Sequence, residues 1–212
     1  MSGSLLKFEK RYSIKIGGRR YPAVKIGNQL WMAENLDYKF DVNGSQIPLG
    51  QWGPPTTPAA WYYNNNETDY GIDGTYKCGL LYNWYAAKYL EDNKLTLLPD
   101  GWHVPTKDEY EILITITEGL ASKLKALDNS ITSNWPSGWN GTDDYGFCVI
   151  PSGNHYNNVF DSFGTFAGFA EMTPKVGTNY YYRLVFGPSS MNSESYYAKT
   201  DCTYIRLVKS LE

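Results

Sequence analysis

The chain opens with alternating polarity. In Tyr12-Ser13-Ile14-Lys15-Ile16 every second residue is polar, and Gly17-Gly18 separates this run from residues 20–26. The pattern predicts a hairpin with a glycine turn. Gly27-Asn28 repeats the device before Gln29-Leu30-Trp31-Met32, so the chain is expected to begin as a small meander. Residues 37–60, which include Pro48, Pro54, Pro55 and Pro58, keep no period and read as a long ordered loop. Residues 64–74 read the same way.

Helical spacing first appears at residues 79–90, where Leu81, Trp84, Tyr85 and Lys88 recur every three or four positions. The stretch is apolar on most sides, which predicts a largely buried helix. A second helix is announced by Leu98-Pro99-Asp100-Gly101-Trp102-His103-Val104-Pro105-Thr106. Asp100-Gly101 signals a turn, and Pro105 keeps Val104 extended, so no helix begins before it. Thr106 and Glu109 have the spacing of a capping box, each side chain reaching the other's backbone amide. Tyr110, Leu113, Ile114 and Thr117 continue at helical spacing until Gly119. A short helical turn is expected at residues 121–127.

The C-terminal half reverts to strands and turns. Residues 134–144 read as a loop, residues 145–150 as a strand and residues 151–158 as a turn-rich loop. Tyr180–Phe186, residues 195–199 and residues 203–209 alternate as strands do. Leu184, Phe186, Ile205 and Leu207 are expected in the core. The class is therefore α+β: two helices packed on small twisted antiparallel sheets, with long ordered loops. Residues 12–210 read as one domain and residues 1–11 as an N-terminal extension.

Composition narrows the functions. The 212 residues suffice for a sizeable core, and a net charge of −3 with scattered Lys and Arg argues against nucleic acid. No apolar run approaches the roughly 18 residues of a membrane helix, so membrane insertion is not expected. The start, Met1-Ser2-Gly3-Ser4-Leu5-Leu6, lacks a signal-peptide core, which reads as a cytosolic chain or a mature region without its leader. Cys78, Cys148 and Cys202 form no CxxC pair, and spacing does not choose a disulfide among them.

Aromatics make up 16% of the chain, including 19 Tyr and 7 Trp, too many for one core to hold. Tyrosine combines a rigid ring with a hydroxyl at low entropy cost, which suits recognition surfaces. The candidates for ligand binding are Trp135, Trp139, Asn154, Tyr156, Asn157, Tyr180, Tyr181, Tyr182, Tyr196 and Tyr197. Sugars are held by ring stacking beside amide hydrogen bonds, and the same residue mixture builds protein-binding surfaces, so glycan and protein remain alternatives. Asp143 and Asp144, with Asn140 and Thr142, offer the hard oxygens calcium takes, although an Asx-type turn is the favoured reading. No other cofactor is indicated. Of the two histidines, His103 reads as structural and His155 as a surface residue; Cys148, flanked by Phe147 and Val149, reads as a packed strand residue and not as His155's partner in a dyad. Trp31, Trp84, Trp102, Thr106 and Glu109 are read as scaffold.

Several motifs appear together and in order: residues 24–36 (VKIGNQLWMAENL), Leu81-Tyr82-Asn83-Trp84-Tyr85-Ala86-Ala87, Gly101-Trp102-His103-Val104-Pro105-Thr106, Tyr145-Gly146-Phe147 with Pro151-Ser152-Gly153, and Tyr204-Ile205-Arg206-Leu207-Val208-Lys209. They resemble the Fibrobacter succinogenes major paralogous domain family over residues 12–209. The resemblance implies a C-type-lectin-like fold, related to formylglycine-generating-enzyme-like domains. It also implies bacterial surface or secreted proteins, often lipoproteins. Family members commonly carry one cysteine before the Pro-x-Gly-Trp turn and another in the closing strand; here those places are Leu98 and Leu207. Two buried leucines, at about 1.5–3 kcal/mol each, would match a disulfide worth about 2–4 kcal/mol, so the two are expected to pack together. The family's Trp-Ser-Ser-Thr segment is replaced by Phe169-Ala170-Glu171-Met172. The oxidase relatives use a cysteine pair, and no matching motif surrounds Cys148 and Cys202. The expected function is a non-catalytic recognition module outside a bacterial cell. The alternatives are a structural or appendage subunit, or an oxidase or hydrolase on the same scaffold.

Overall fold

The structure is a computed structural model describing residues 12–50, 56–67, 78–127, 135–139 and 141–211. The expected extension at residues 1–11 and the candidate Asn140 lie outside the described residues.

Alternation builds the first sheet. β1 (Tyr12–Ile16), β2 (Arg19–Ile26) and β3 (Gln29–Met32) pair antiparallel in succession. Gly27 is required at its turn: its φ is +61°, and a β-carbon there would lie 2.5 Å from the Ile116 side chain. β4 (Asp41–Val42) and β5 (Ser45–Gln46) make a small hairpin inside the long loop, followed by β6 (Ala60–Trp61). β7 (Leu81–Asn83) leads into α1 (Trp84–Asp92), α2 (Lys94–Leu97) and α3 (Lys107–Ile116). Then come β8 (Ser152–Tyr156), β9 (Val159–Phe163), β10 (Ala167–Pro174) and β11 (Tyr180–Phe186). β12 (Met191–Ala198), β13 (Cys202–Thr203) and β14 (Val208–Ser210) complete the order. The described residues are mixed α and β, with strands predominant.

β14 pairs with β3, so the last strand joins the first sheet in the order β1-β2-β3-β14. The second sheet runs β12-β11-β10-β8-β13-β7-β6, with β9 paired to β8. Neighbouring strand residues point to opposite faces, and here they divide between two apolar clusters. Tyr82, Ala170 and Ile205 join the cluster that includes Ala86, Ala87 and Leu90 of α1. Leu81, Phe169 and Tyr204 join the one that includes Tyr110 and Leu113 of α3. The two helices therefore cover opposite faces of the second sheet. Trp84 and Trp102 are buried in the first cluster and Trp31 in the second. Leu98 and Leu207 are both buried in the first cluster.

Four expectations are corrected. The first helix begins at Trp84 and not at residue 79, because Leu81 and Tyr82 pair with β6 and Asn83 caps the helix, its Oδ1 accepting the Ala86 amide at 2.9 Å. Residues 145–150 form no strand beyond one bridge from Val149 to Lys125. Asp143 and Cys148 there have φ of 45° and 56°, and Asp143 Oδ1 accepts the Cys148 amide at 2.8 Å, so the segment is a side-chain-closed turn. Residues 152–156, expected in a loop, form β8, whose hairpin to β9 turns on Asn157 and Asn158 with φ of 47° and 67°. Residues 204–207 interrupt the closing strand because the segment passes from the second sheet to the first; the carbonyls of Ile205 and Leu207 accept from the amides of Leu36 and Met32.

Arg206 sits at that crossing, 1% exposed. Its Nε donates to Asn35 Oδ1 at 2.9 Å, one terminal nitrogen donates to the Phe147 carbonyl and the other to the Cys148 carbonyl at 3.0 Å. Asn35 Nδ2 in turn donates to the Cys78 carbonyl at 2.8 Å. The capping box before α3 forms as expected and is larger than the sequence indicated. Glu109 Oε2 accepts from the Thr106 amide at 2.9 Å, while Glu109 Oε1 lies 2.7 Å from His103 Nε2. His103 Nδ1 lies 3.1 Å from the Gly101 carbonyl. Both ring neighbours are acceptors, so only the doubly protonated imidazole serves both.

Arg206→Met removes the donor to Asn35, Phe147 and Cys148 and should cost about 3 kcal/mol or more in urea denaturation. Arg206→Lys should restore little of that, because one ammonium cannot replace a planar fork. The second prediction concerns pH. Hydrogen bonding to Glu109 raises the His103 pKa above 6.5. Burial pushes Glu109 up, but His103 and the Thr106 amide outweigh it and hold its pKa below 4.5. The His103 contribution is full below pH 6.5 and disappears as pH rises through its folded value; the Glu109 contribution is full above pH 4.5 and disappears as pH falls through its folded value. His103→Ala should therefore lower the melting temperature more at about pH 5.5 than at about pH 8.5.

Candidate functional site

Strand direction decides which candidates meet. β8 and β10 run parallel, while β10, β11 and β12 alternate. The end of β8 at Tyr156, the turn from β10 to β11 before Tyr180, and the end of β12 at Ala198 therefore lie at one end of the second sheet. Asn154, Tyr156, Asn157, Tyr180, Tyr182, Tyr196 and Tyr197 all come to that end.

On the α1 face the rings form a stack. Tyr156 lies parallel to Tyr197, with centroids 5.5 Å apart and planes 23° apart. The Arg183 guanidinium sits 3.6 Å from the centre of the Tyr197 ring and 5.0 Å from that of Phe166. Tyr197 is buried; its hydroxyl donates to Asn154 Oδ1 at 3.1 Å, and Arg183 Nε donates to Ser195 Oγ at 3.2 Å. Burial lowers the Arg183 pKa and raises that of Tyr197. Tyr156 is 54% exposed, so the stack has one open end. The adjacent turn is anchored by Asp201, whose Oδ1 accepts the Asn157 amide at 3.0 Å.

The α3 face carries Tyr180, Tyr182 and Tyr196. Tyr182 and Tyr196 are cross-strand partners, and Tyr180 meets Tyr196 edge to face at 5.6 Å. Lys175 Nζ lies 3.5 Å from the centre of the Tyr196 ring, and Lys107 Nζ 5.1 Å from that of Tyr182. Lys107 also pairs with Glu194. Tyr180 and Tyr196 are exposed.

The two tryptophans are elsewhere. Lys125, 1% exposed, donates from Nζ to the carbonyls of Trp139 at 3.1 Å, Pro188 at 2.7 Å and Gly187. It also lies 4.0 Å from the centre of the Trp135 ring. Gly187 and Pro188 follow the far end of β11, about 20 Å along the strand from Tyr180. Trp135 is buried and donates from Nε1 to the Val149 carbonyl at 2.9 Å, so it is a core residue and not a ligand contact. Trp139 is half-buried against the same cluster. Asn154, Tyr181 and Tyr197 are also buried and support the surface from beneath. Sequence reasoning missed Arg183, Asp201, Lys175 and Lys125. Only Lys125 left a signal, a cation flanked by Leu124 and Ala126.

The sequence profile of the Fibrobacter succinogenes major domain matches residues 24–209. The chain belongs to this family. No curated protein and no solved structure matches it.

In this Fibrobacter succinogenes major domain two groups with reactive potential, His155 and Cys202, are cross-strand partners, and both are buried. His155 is buried, contrary to expectation, between Trp61 at 5.2 Å and Phe160 at 4.5 Å, and burial lowers its pKa to about 4. Cys202, its neighbour across the β8–β13 pair, has its thiol pKa raised by burial. Cys148 lies in the Asp143 turn with its carbonyl on Arg206, and the three cysteines are thiols. Asp143 holds that turn, burial raising its pKa to about 6, and Asp144 is exposed beside it. Among the described residues no group of three His, Cys, Asp or Glu is placed to hold a metal ion. Glu171, 0% exposed, sits in the segment that departs from the family pattern, and burial raises its pKa to about 8.

Lys125→Met should unpair three carbonyls and cost about 1–3 kcal/mol. It should also speed exchange of the Trp135 indole proton, while leaving amide exchange at Asn157 unchanged.

Proposed function

We propose that this domain is a non-catalytic recognition module, displayed outside a bacterial cell, that binds a glycan or protein ligand through the tyrosine-rich end of its second sheet. The observation that carries this reading is the placement at one end of the sheet of Tyr156 on the α1 face and of Tyr180 and Tyr196 on the α3 face, each exposed and each fixed by a neighbouring ring or cation. Rings held in advance lose little entropy on binding, and such aromatic side chains dominate binding energy at interfaces. A C-type-lectin-like frame fits a chain whose closing strand returns to its opening sheet and whose long segments are held by buried side chains. Burial of Cys202 and His155 with perturbed pKa values, and engagement of Cys148 in a turn, favour recognition over oxidase or hydrolase chemistry.

The test combines a printed glycan array with a displayed library of protein domains, using the parent protein and Tyr156→Ala/Tyr180→Ala/Tyr196→Ala. Binding should fall at least about tenfold in the variant, with a melting temperature within about 2 °C of the parent. Hits that survive the variant would overturn the reading. So would light scattering that shows a stable oligomer dissociated by the same changes, which would assign the surface to assembly.

A further inference from the structure

We propose that the outer face of Tyr156 is the stacking platform of a subsite for a single uncharged sugar ring. This rests on the recognition reading above and names the ligand class for one part of that surface.

Of the exposed rings at this end, Tyr156 is the one backed on one side by a built stack. Tyr197 lies against it at 5.5 Å, the Arg183 guanidinium lies 3.6 Å from the centre of the Tyr197 ring, and the same guanidinium lies 5.0 Å from the centre of the Phe166 ring. The inner members are pinned by the hydrogen bonds from Tyr197 to Asn154 and from Arg183 to Ser195. The other exposed rings are engaged differently: Lys175 covers Tyr196 at 3.5 Å, and Tyr180 abuts Tyr196 edge to face. Tyr156 thus presents a fixed flat surface whose orientation was set before any ligand arrives.

The surroundings suit a pyranose. Val159, the cross-strand partner of Tyr156, is 60% exposed and extends the apolar surface by a few methyl and methine groups. The flanking Asn157 and Asn158 are exposed, and their left-handed turn is fixed through the Asp201 contact, so amide donors and acceptors stand beside the ring. An apolar face bordered by amides matches the C–H face and equatorial hydroxyls of a sugar. One ring and one valine are far smaller than the roughly 800 Å² per partner of a stable protein interface. Charge selects further. Asp161 is exposed on the same face, opposite Asn154 in the hairpin, where it accepts from hydroxyls and repels an acidic sugar. Arg183 is held beneath Tyr197, and Asp201 is 6% exposed and already bonded, so neither offers an ionic contact at the platform.

The experiment titrates 15N-labelled protein with neutral oligosaccharides (cello-, xylo-, manno- and chito-hexaose) and with polygalacturonate as the acidic comparison. At least one neutral probe should bind at millimolar concentration or tighter, shifting the Asn157, Asn158 and Val159 amides, and polygalacturonate should not. Tyr156→Ala should weaken binding at least about tenfold, whereas Tyr156→Phe should retain it, since stacking needs the ring and not the hydroxyl. A melting curve for each variant separates lost binding from lost fold. Neutral probes that bind but are insensitive to Tyr156→Ala and sensitive to Tyr180→Ala would overturn the platform while leaving the recognition surface in place. Silence from every neutral probe would overturn the sugar class, and the triple variant's behaviour on the protein library would then decide the broader reading.

Discussion

The Arg206 guanidinium is the contact on which the arrangement of this domain turns. A buried cation without compensation costs several kcal/mol, and this one is compensated by groups from distant segments: Asn35, Phe147 and Cys148. Through Asn35 it also fixes the Cys78 carbonyl. The segments at Asn35 and Cys78 are also joined by a backbone bond from the Leu80 amide to the Leu36 carbonyl, and the guanidinium ties residues 147–148 to them. It sits where the chain leaves the second sheet for the first, and both sheets depend on that crossing.

The same solution recurs at smaller scale. Irregular backbone cannot satisfy its own amides and carbonyls, and buried groups of this kind must find partners. Lys125 collects the carbonyls of Trp139, Gly187 and Pro188. Asp143 takes the Cys148 amide, Asp201 the Asn157 amide and Glu109 the Thr106 amide. Several charged residues of this domain are thus structural clamps inside loops. These contacts supply the partners that irregular backbone lacks in the described segments they join.

Rigid loops matter for recognition because an ordered surface gives up less on binding than a mobile one. The tyrosines at the end of the second sheet inherit their order from strand pairing on one side and from cations on the other. Trp135 and Trp139, beside Lys125 at the opposite end, are instead turned inward, with the Trp135 indole bonded to Val149. Similar composition thus produced a surface at one end of the sheet and a packed wall at the other.

What the sequence determined by itself is local. Alternation around Gly17-Gly18 and Gly27-Asn28 placed the opening meander, Thr106 and Glu109 placed the cap of α3, and Tyr180–Phe186 placed β11, because each depends on residues within a few positions. The motifs were enough to assign the family. Tertiary structure alone decided which aromatic candidates share a surface, since Tyr156 and Tyr197 meet only through the order of strands between them. It also decided that His155 and Trp135 face inward, that residues 145–150 close on Asp143 instead of forming a strand, and that Arg206 reaches Asn35 across the chain. A side chain's partner 171 positions away leaves no periodicity in the sequence, and burial of a polar group is set by what packs over it.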